Sequence, residues 1–161
     1  MEGAATARPP RPRRILVATD FSPAAEAALE RALDVAGALE GYVVLLHVVD
    51  MAPHLPESLV PRLRAAIDQA RHAAGQVLTA AVEARRARGI PMSVVVAEGN
   101  PWRVIVEAAE QDAMDLVVLG ADHRADRPHL LGGVTEKVVR AAPCPVLTVP
   151  ACGPGEAQPA I

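Results

Sequence analysis

Along this chain, short unbroken apolar runs alternate with longer stretches whose apolar residues recur every three or four positions. The first run is Ile15, Leu16, Val17, Ala18 and Thr19, and it stops at Asp20. Ser22 then offers a side-chain oxygen to the first free N–H groups of a helix, and Pro23 supplies a φ already set for the first helical position. A helix is therefore predicted from Pro23 to about Leu39, with Leu29, Leu33 and Val35 facing inward. The next run, Tyr42 to Val49, is apolar nearly throughout, as a strand covered on both faces must be. Beyond Pro53 and Pro56, a long helix is predicted from Ser58 to Arg88. Leu59, Leu63, Ile67, Ala70, Ala74, Val77, Leu78 and Ala81 make one buried face at helical spacing, and Gly89 ends it. A third strand spans Met92 to Ala97. Asn100 and Pro101 open a third helix, whose apolar face carries Trp102, Ile105, Val106 and Ala109. A fourth strand, Leu116 to Leu119, leads through the polar loop Gly120–Leu131 to a helix at Gly133–Arg140, and Val146–Val149 is the last strand.

This β-α-β-α-β-α-β-α-β order predicts an α/β fold. It is a single five-stranded parallel sheet with helices on both faces and right-handed crossovers. A length of 161 residues favours one domain. Residues 1–13, rich in Ala, Pro and Arg, read as a disordered N-terminal tail; residues 14–150 are the domain; residues 151–161 are a flexible C-terminal tail. Pro145 can begin an edge strand but would break a central one. Val146–Val149 is thus expected at an edge, and because exposed apolar edges are normally covered or paired, two chains are expected to meet along it as a homodimer.

Composition narrows the function. Apolar residues make up 51% of the chain, enough for a packed core, while aromatic residues make up only 2%. Net charge is -3, so there is no basic surface for nucleic acid, and one Trp, one Tyr and one Phe form no stacking platform for a single strand. No apolar run reaches the roughly 20 residues of a membrane span. The basic N-terminus is followed by too short an apolar run for a secretory signal, so a cytoplasmic protein is expected. Cys144 and Cys152, eight apart, make neither a zinc site nor a disulfide framework.

In open α/β sheets, ligands sit beyond the carboxyl ends of the strands, where the winding reverses. With strand order 3-2-1-4-5 that point lies between the first and fourth strands. There Thr19–Ser22, holding Asp20, would face Gly120–Gly133, a connection of about a dozen residues against the usual two to six. Gly132 and Gly133 open a helix, so free N–H groups and the helix dipole would face an anion. Asp20 either accepts from a base or sugar, or serves the turn before Ser22.

These residues resemble the universal stress protein family. ILVATDFSPAAEAAL is similar to its first strand, acidic turn and first helix, and LLHVVD to its second strand. EGNPWRVIVEAAEQDAMDLVVLG resembles its glycine-x-proline helix start and fourth strand, and GGVTEKVVRAAPCPVLTV its closing helix and strand. The likeness covers roughly Arg14 to Val149. It implies the 3-2-1-4-5 sheet of a Rossmann-like, adenine-nucleotide-hydrolase-like fold, a dimeric cytoplasmic protein and a role in surviving stress, with no established reaction.

In nucleotide-binding members the fourth strand is followed by G-x2-G-x9-G-[ST]. Here Gly120 matches the first glycine, but His123 stands at the second. Eight residues, Arg124 to Leu131, precede Gly132 instead of nine, and Gly133 stands where Ser or Thr is expected. The cofactor-contacting residues so implied are Ala18, Asp20, Val48, Leu119, Gly120, Gly132, Gly133 and Val134, with the adenine end near Asp20 and Val48. ATP is the ligand these anchors would take, and each departure weakens its phosphate end. His123 puts a ring where a phosphate would approach bare backbone and gives up glycine's freedom at positive φ. Gly133 removes a hydroxyl donor worth about 0.5–1.5 kcal/mol to a neutral partner. Asp122 and Asp126 repel a triphosphate, and Arg124 and Arg127 oppose that repulsion.

Asp122, His123, Asp126 and His129 carry metal-ligating side chains, but their spacing in a loop defines no coordination geometry, and no metal ligand is assigned. Ser22 and Ser93 sit in no G-x-S-x-G turn, and no G-x4-G-K-[ST] loop occurs. His47, in the middle of a strand, reads as a satisfied core residue. No catalytic residue is assigned. The expectation is a non-enzymatic stress-response protein with a degenerate nucleotide pocket, acting through dimerisation and protein partners. The alternative is a sensor that binds ATP or AMP by the loop after the fourth strand. A slow nucleotide hydrolase is the least supported reading.

Overall fold

The structure, a computed structural model, describes residues 13–50, 60–121 and 133–151. The strands are β1 (Arg14–Ala18), β2 (Tyr42–Asp50), β3 (Met92–Gly99), β4 (Leu116–Ala121) and β5 (Val146–Pro150). The helices are α1 (Pro23–Leu39), α2 (Val60–Ala84), α3 (Pro101–Gln111) and α4 (Gly133–Ala141). All strands pair in parallel in the order β3-β2-β1-β4-β5, as the alternation of elements and the family likeness predict. Ala18, the last residue of β1, lies between Leu46 and Leu119. The ends of β1 and β4 are therefore neighbours, and β5 is an edge.

Side chains alternate across the sheet, so each central strand feeds two cores. Ile15, Val17, Val43, Leu45 and Val118 pack with Ala28, Leu29, Ala32 and Leu33 of α1 and Leu78 of α2. Leu16, Val44, Leu46, Val117 and Leu119 pack on the other face with Ile105 and Ala109 of α3 and Val138 of α4. With so few aromatic residues, alanines fill the α1 contact and let that helix lie close to the sheet. Ser22 caps α1 as expected: its Oγ accepts the Ala25 N–H at 3.2 Å, with Pro23 at the helix start. Arg13 is already part of the sheet end. Its N–H and that of Arg14 both donate to Asp115 Oδ2 at 2.9 Å, and its carbonyl accepts from Tyr42 N–H.

Three expectations need correction. The long helix ends at Ala84, and a single 3-10 turn, Arg86–Arg88, precedes the left-handed Gly89 at φ 68°. Arg85 leaves helical geometry at φ -105°, ψ 4°, while its guanidinium reaches back to Glu26 and Glu30 of α1. Second, the face of α2 is narrower than its spacing predicts. Ile67, Ala74 and Leu78 are buried, but Ala70 is exposed and Val77 is 52% exposed. The reason is topological: α2 lies over the edge strand β3, so residues flanking its central line overhang the sheet. Third, several strands run a residue or two past their predicted ends, β2 to Asp50 and β3 to Gly99 among them. Ser58, Leu59, Cys152, most of the two tails and the loop at 122–132 lie outside the described residues. No described helix is long and apolar enough to cross a membrane.

These contacts predict opposite outcomes for two apolar truncations. Leu33, fully buried between α1 and the sheet, should cost about 2–5 kcal/mol as Leu33→Ala. Val77→Ala should stay within about 0.5 kcal/mol. Urea denaturation of both variants checks the pair.

Candidate functional site

A cavity of about 270 Å³ opens at the carboxyl ends of β1 and β4. Its walls come from six elements. Ala18, Thr19 and Asp20 leave β1; Leu46, His47 and Val48 come from the carboxyl-end half of β2, and Leu119 and Gly120 from that of β4. Ala24 and Ala25 come from the first turn of α1, Pro101 and Ile105 from α3, and Gly133, Val134 and Thr135 from α4. In a parallel sheet every helix starts where its preceding strand ends. The N-termini of α1, α3 and α4 therefore all border this space, and their dipoles favour negative charge there.

The sequence-predicted residues come together at this place. Ala18, Asp20, Val48, Leu119, Gly120, Gly133 and Val134 all line the cavity. Gly132 lies outside the described residues, as do His123 and the shortened part of the loop. Asp20 takes up one of the two roles read for it with one oxygen only: Oδ1 accepts the Ser22 N–H at 3.0 Å and tightens the turn. Its Oδ2 has no partner among the described residues.

Gly120 has a structural role beyond any ligand. A Cβ built there would lie 2.6 Å from the Ala24 carbonyl carbon and the Ala25 nitrogen, closer than side chains ever stand to backbone. A bare backbone at this point lets the first turn of α1 rest directly on β4. Gly133 is the opposite case, with no atom of the described residues within 4 Å of a Cβ built on it.

Sequence reading missed four features. Thr135, only 7% exposed, donates its hydroxyl to the Gly120 carbonyl at 3.1 Å and ties the start of α4 to the end of β4. A threonine two residues into a helix carried no signal of that contact. Ile105 was read as core and Pro101 as a helix start, yet both line the cavity as well. His47 is not a core residue: it is half-buried and lines the cavity. The register explains this. β1 ends opposite Leu46, so the strand beyond that point has lost one neighbour and stands at the rim. His47 is nevertheless satisfied, through Nδ1 and the Thr19 carbonyl at 2.8 Å.

Cys144 is half-buried beside β5. Burial, reinforced by the Asp115 carboxylate, pushes its thiol up from the ordinary range and keeps it protonated. Among the described residues, no group of three His, Cys, Asp or Glu is placed to hold a metal ion.

A sequence model of the Universal stress protein family matches residues 12–150. The Universal stress protein of Methanothermobacter thermautotrophicus is 31% identical over 136 residues, 83% of this chain and 92% of its own. The solved structure of Universal stress protein UspA from Lactobacillus plantarum superposes with a TM-score of 0.78 at 28% identity, covering 86% of this chain and 98% of that one. A universal stress protein family protein from Arabidopsis thaliana, solved with AMP bound, has a TM-score of 0.64 over 89% of this chain and 94% of its own. At 21% identity that last likeness is one of fold.

The two glycines should respond differently to substitution. Gly120→Ala should cost about 1–3 kcal/mol or more, because the clash is with backbone that cannot rotate away. Gly133→Ser should be neutral within about 0.5 kcal/mol. Thermal unfolding of both variants against the unmodified chain measures the difference.

Proposed function

The chain belongs to the universal stress protein family, and we propose that it is a non-enzymatic stress-response protein whose cavity takes an adenine nucleotide chiefly by its adenosine end. One observation carries this reading: the cavity between β1 and β4 joins an apolar slot to an acceptor and to helix N-termini. Ala18, Leu46, Val48, Ile105 and Leu119 supply walls that suit a planar base. The Asp20 oxygen that has no partner among the described residues suits a sugar hydroxyl or an amino group. The first N–H groups of α4, beside Gly133, suit a phosphate.

The phosphate end is the weak one. Gly133 offers no hydroxyl, His123 replaces a glycine of the family pattern, and the loop is one residue short. The phosphates of ATP then add little to the affinity of its adenosine portion. As the family resemblance implies, the protein works in the cytoplasm as a homodimer, and in this reading it acts through protein partners. Pairing along β5 would cover the sheet edge that begins at Val146.

Two measurements test the reading. Calorimetry with adenosine, AMP and ATP on the unmodified chain should find comparable, modest affinity for all three. The variant His123→Gly with Gly133→Ser and one residue inserted between Arg127 and Leu131 should gain about two orders of magnitude for ATP and little for adenosine. Low-micromolar ATP binding by the unmodified chain would instead favour the ATP- or AMP-binding sensor. For assembly, Leu147→Pro should yield monomers in light scattering, and a folded dimer in that variant would place the interface elsewhere.

A further inference from the structure

Thr19, the first residue after β1, is engaged at three atoms. Its N–H donates to the Leu46 carbonyl at 2.9 Å, and its Oγ1 accepts the Phe21 N–H at 3.0 Å. Its carbonyl meets His47 Nδ1 at 2.8 Å. A carbonyl only accepts, so His47 donates from Nδ1 in either charge state of its ring. Next in the turn, Phe21 sits at φ 65°, a left-handed conformation that bulky side chains rarely adopt. Core packing does not hold it there, because Phe21 is 46% exposed. Its ring instead packs on the His47 ring, with centroids 4.5 Å apart and planes tilted by 33°. His47 therefore grips the turn twice, once through the backbone before Asp20 and once through the side chain after it.

We infer that His47 is a positioning residue for the cavity: it holds the Thr19–Ser22 turn in the left-handed form that sets the Asp20 carboxylate on the cavity wall. Without the two contacts, Phe21 returns to ordinary backbone angles and carries Asp20 with it. The inference rests on the proposed adenosine site for its functional consequence, but the state of the turn is measurable without any ligand.

The test is a cycle of His47→Phe, Phe21→Gly and the double variant, with His47→Asn as the conservative replacement. His47→Phe keeps a ring and loses the donor; Asn keeps an N–H close to the position of Nδ1. Calorimetry with adenosine should show roughly three- to tenfold weaker binding for His47→Phe, the size of one hydrogen bond, and partial recovery in His47→Asn. In the Phe21→Gly background, where positive φ is free of steric cost, the same His47→Phe step should lose clearly less. A residue that merely stabilised the fold would lose the same factor in both backgrounds, and that result overturns the inference. In ligand-free protein, exchange of the Ser22 amide, bonded to Asp20 Oδ1, should quicken in His47→Phe and not in the double variant. Unchanged exchange in His47→Phe overturns the inference. If the unmodified chain binds no adenosine, the adenosine site fails by itself, and the exchange result still decides the role of His47. His47→Leu, which likewise has no donor, replaces His47→Phe if that variant does not fold.

Discussion

The contact of α1 with the end of β4 depends on there being no side chain at Gly120. The first turn of the helix rests on bare strand backbone, at a distance where even one methyl group would collide with Ala24 and Ala25. That approach makes α1 the roof of the cavity and gives its N-terminus to the site. The same residue's carbonyl accepts the Thr135 hydroxyl, so α4 starts from the same point. Three elements are thus referred to one backbone position. The first glycine of the family's phosphate pattern is at once a packing constraint, and its presence here does not by itself report phosphate binding.

The two ends of the sheet are built differently. At the amino end the chain is tied down by backbone bonds and charge. Asp115 takes the Arg13 and Arg14 N–H groups, and the Arg14 guanidinium donates to the Asp112 carbonyl. The far end of α2 is joined to α1 by Arg85 with Glu26 and Glu30, and by Arg88 with Glu30 and Asp34. The carboxylates in these pairs are about half exposed, so each pair contributes at most about 1 kcal/mol, and their effect is to orient the helices. At the carboxyl end, by contrast, helix N-termini, a carboxylate oxygen of Asp20 with no partner among the described residues, and a left-handed turn surround an opening.

A close-approach glycine, a clamped turn and converging helix dipoles give the cavity its shape before anything enters it. Preorganisation of this kind lowers the ordering cost of binding a small, flat ligand. It also explains how the pocket walls can stay intact while the phosphate loop departs from the family pattern. The walls are held by contacts the fold itself needs, such as Thr19 to Leu46 and Thr135 to Gly120, whereas nothing in the fold requires a hydroxyl at residue 133.

Much of this protein was legible in order along the chain. Ser22–Pro23 marked a helix start, the apolar run Tyr42–Val49 marked a doubly covered strand, and Pro145 marked an edge. Their alternation was enough for a parallel sheet and for a site at the strand ends, because these signals are local and depend on backbone sterics and burial period. Seven of the eight residues read as ligand contacts line the cavity, since motif and topology point to the same strand ends. What the tertiary structure alone decided concerns partners far apart in sequence. Ala70 and Val77 fit a buried helical face by spacing, yet overhang because α2 sits at the sheet's edge. His47 has the surroundings of a core strand in sequence, but the register ends β1 before it and leaves it at the rim beside Phe21. Thr135 and Gly120 meet across a long loop. Periodicity tells which face of an element is apolar; which neighbour that face meets, and where the neighbour stops, is set by the pairing of strands that no local pattern contains.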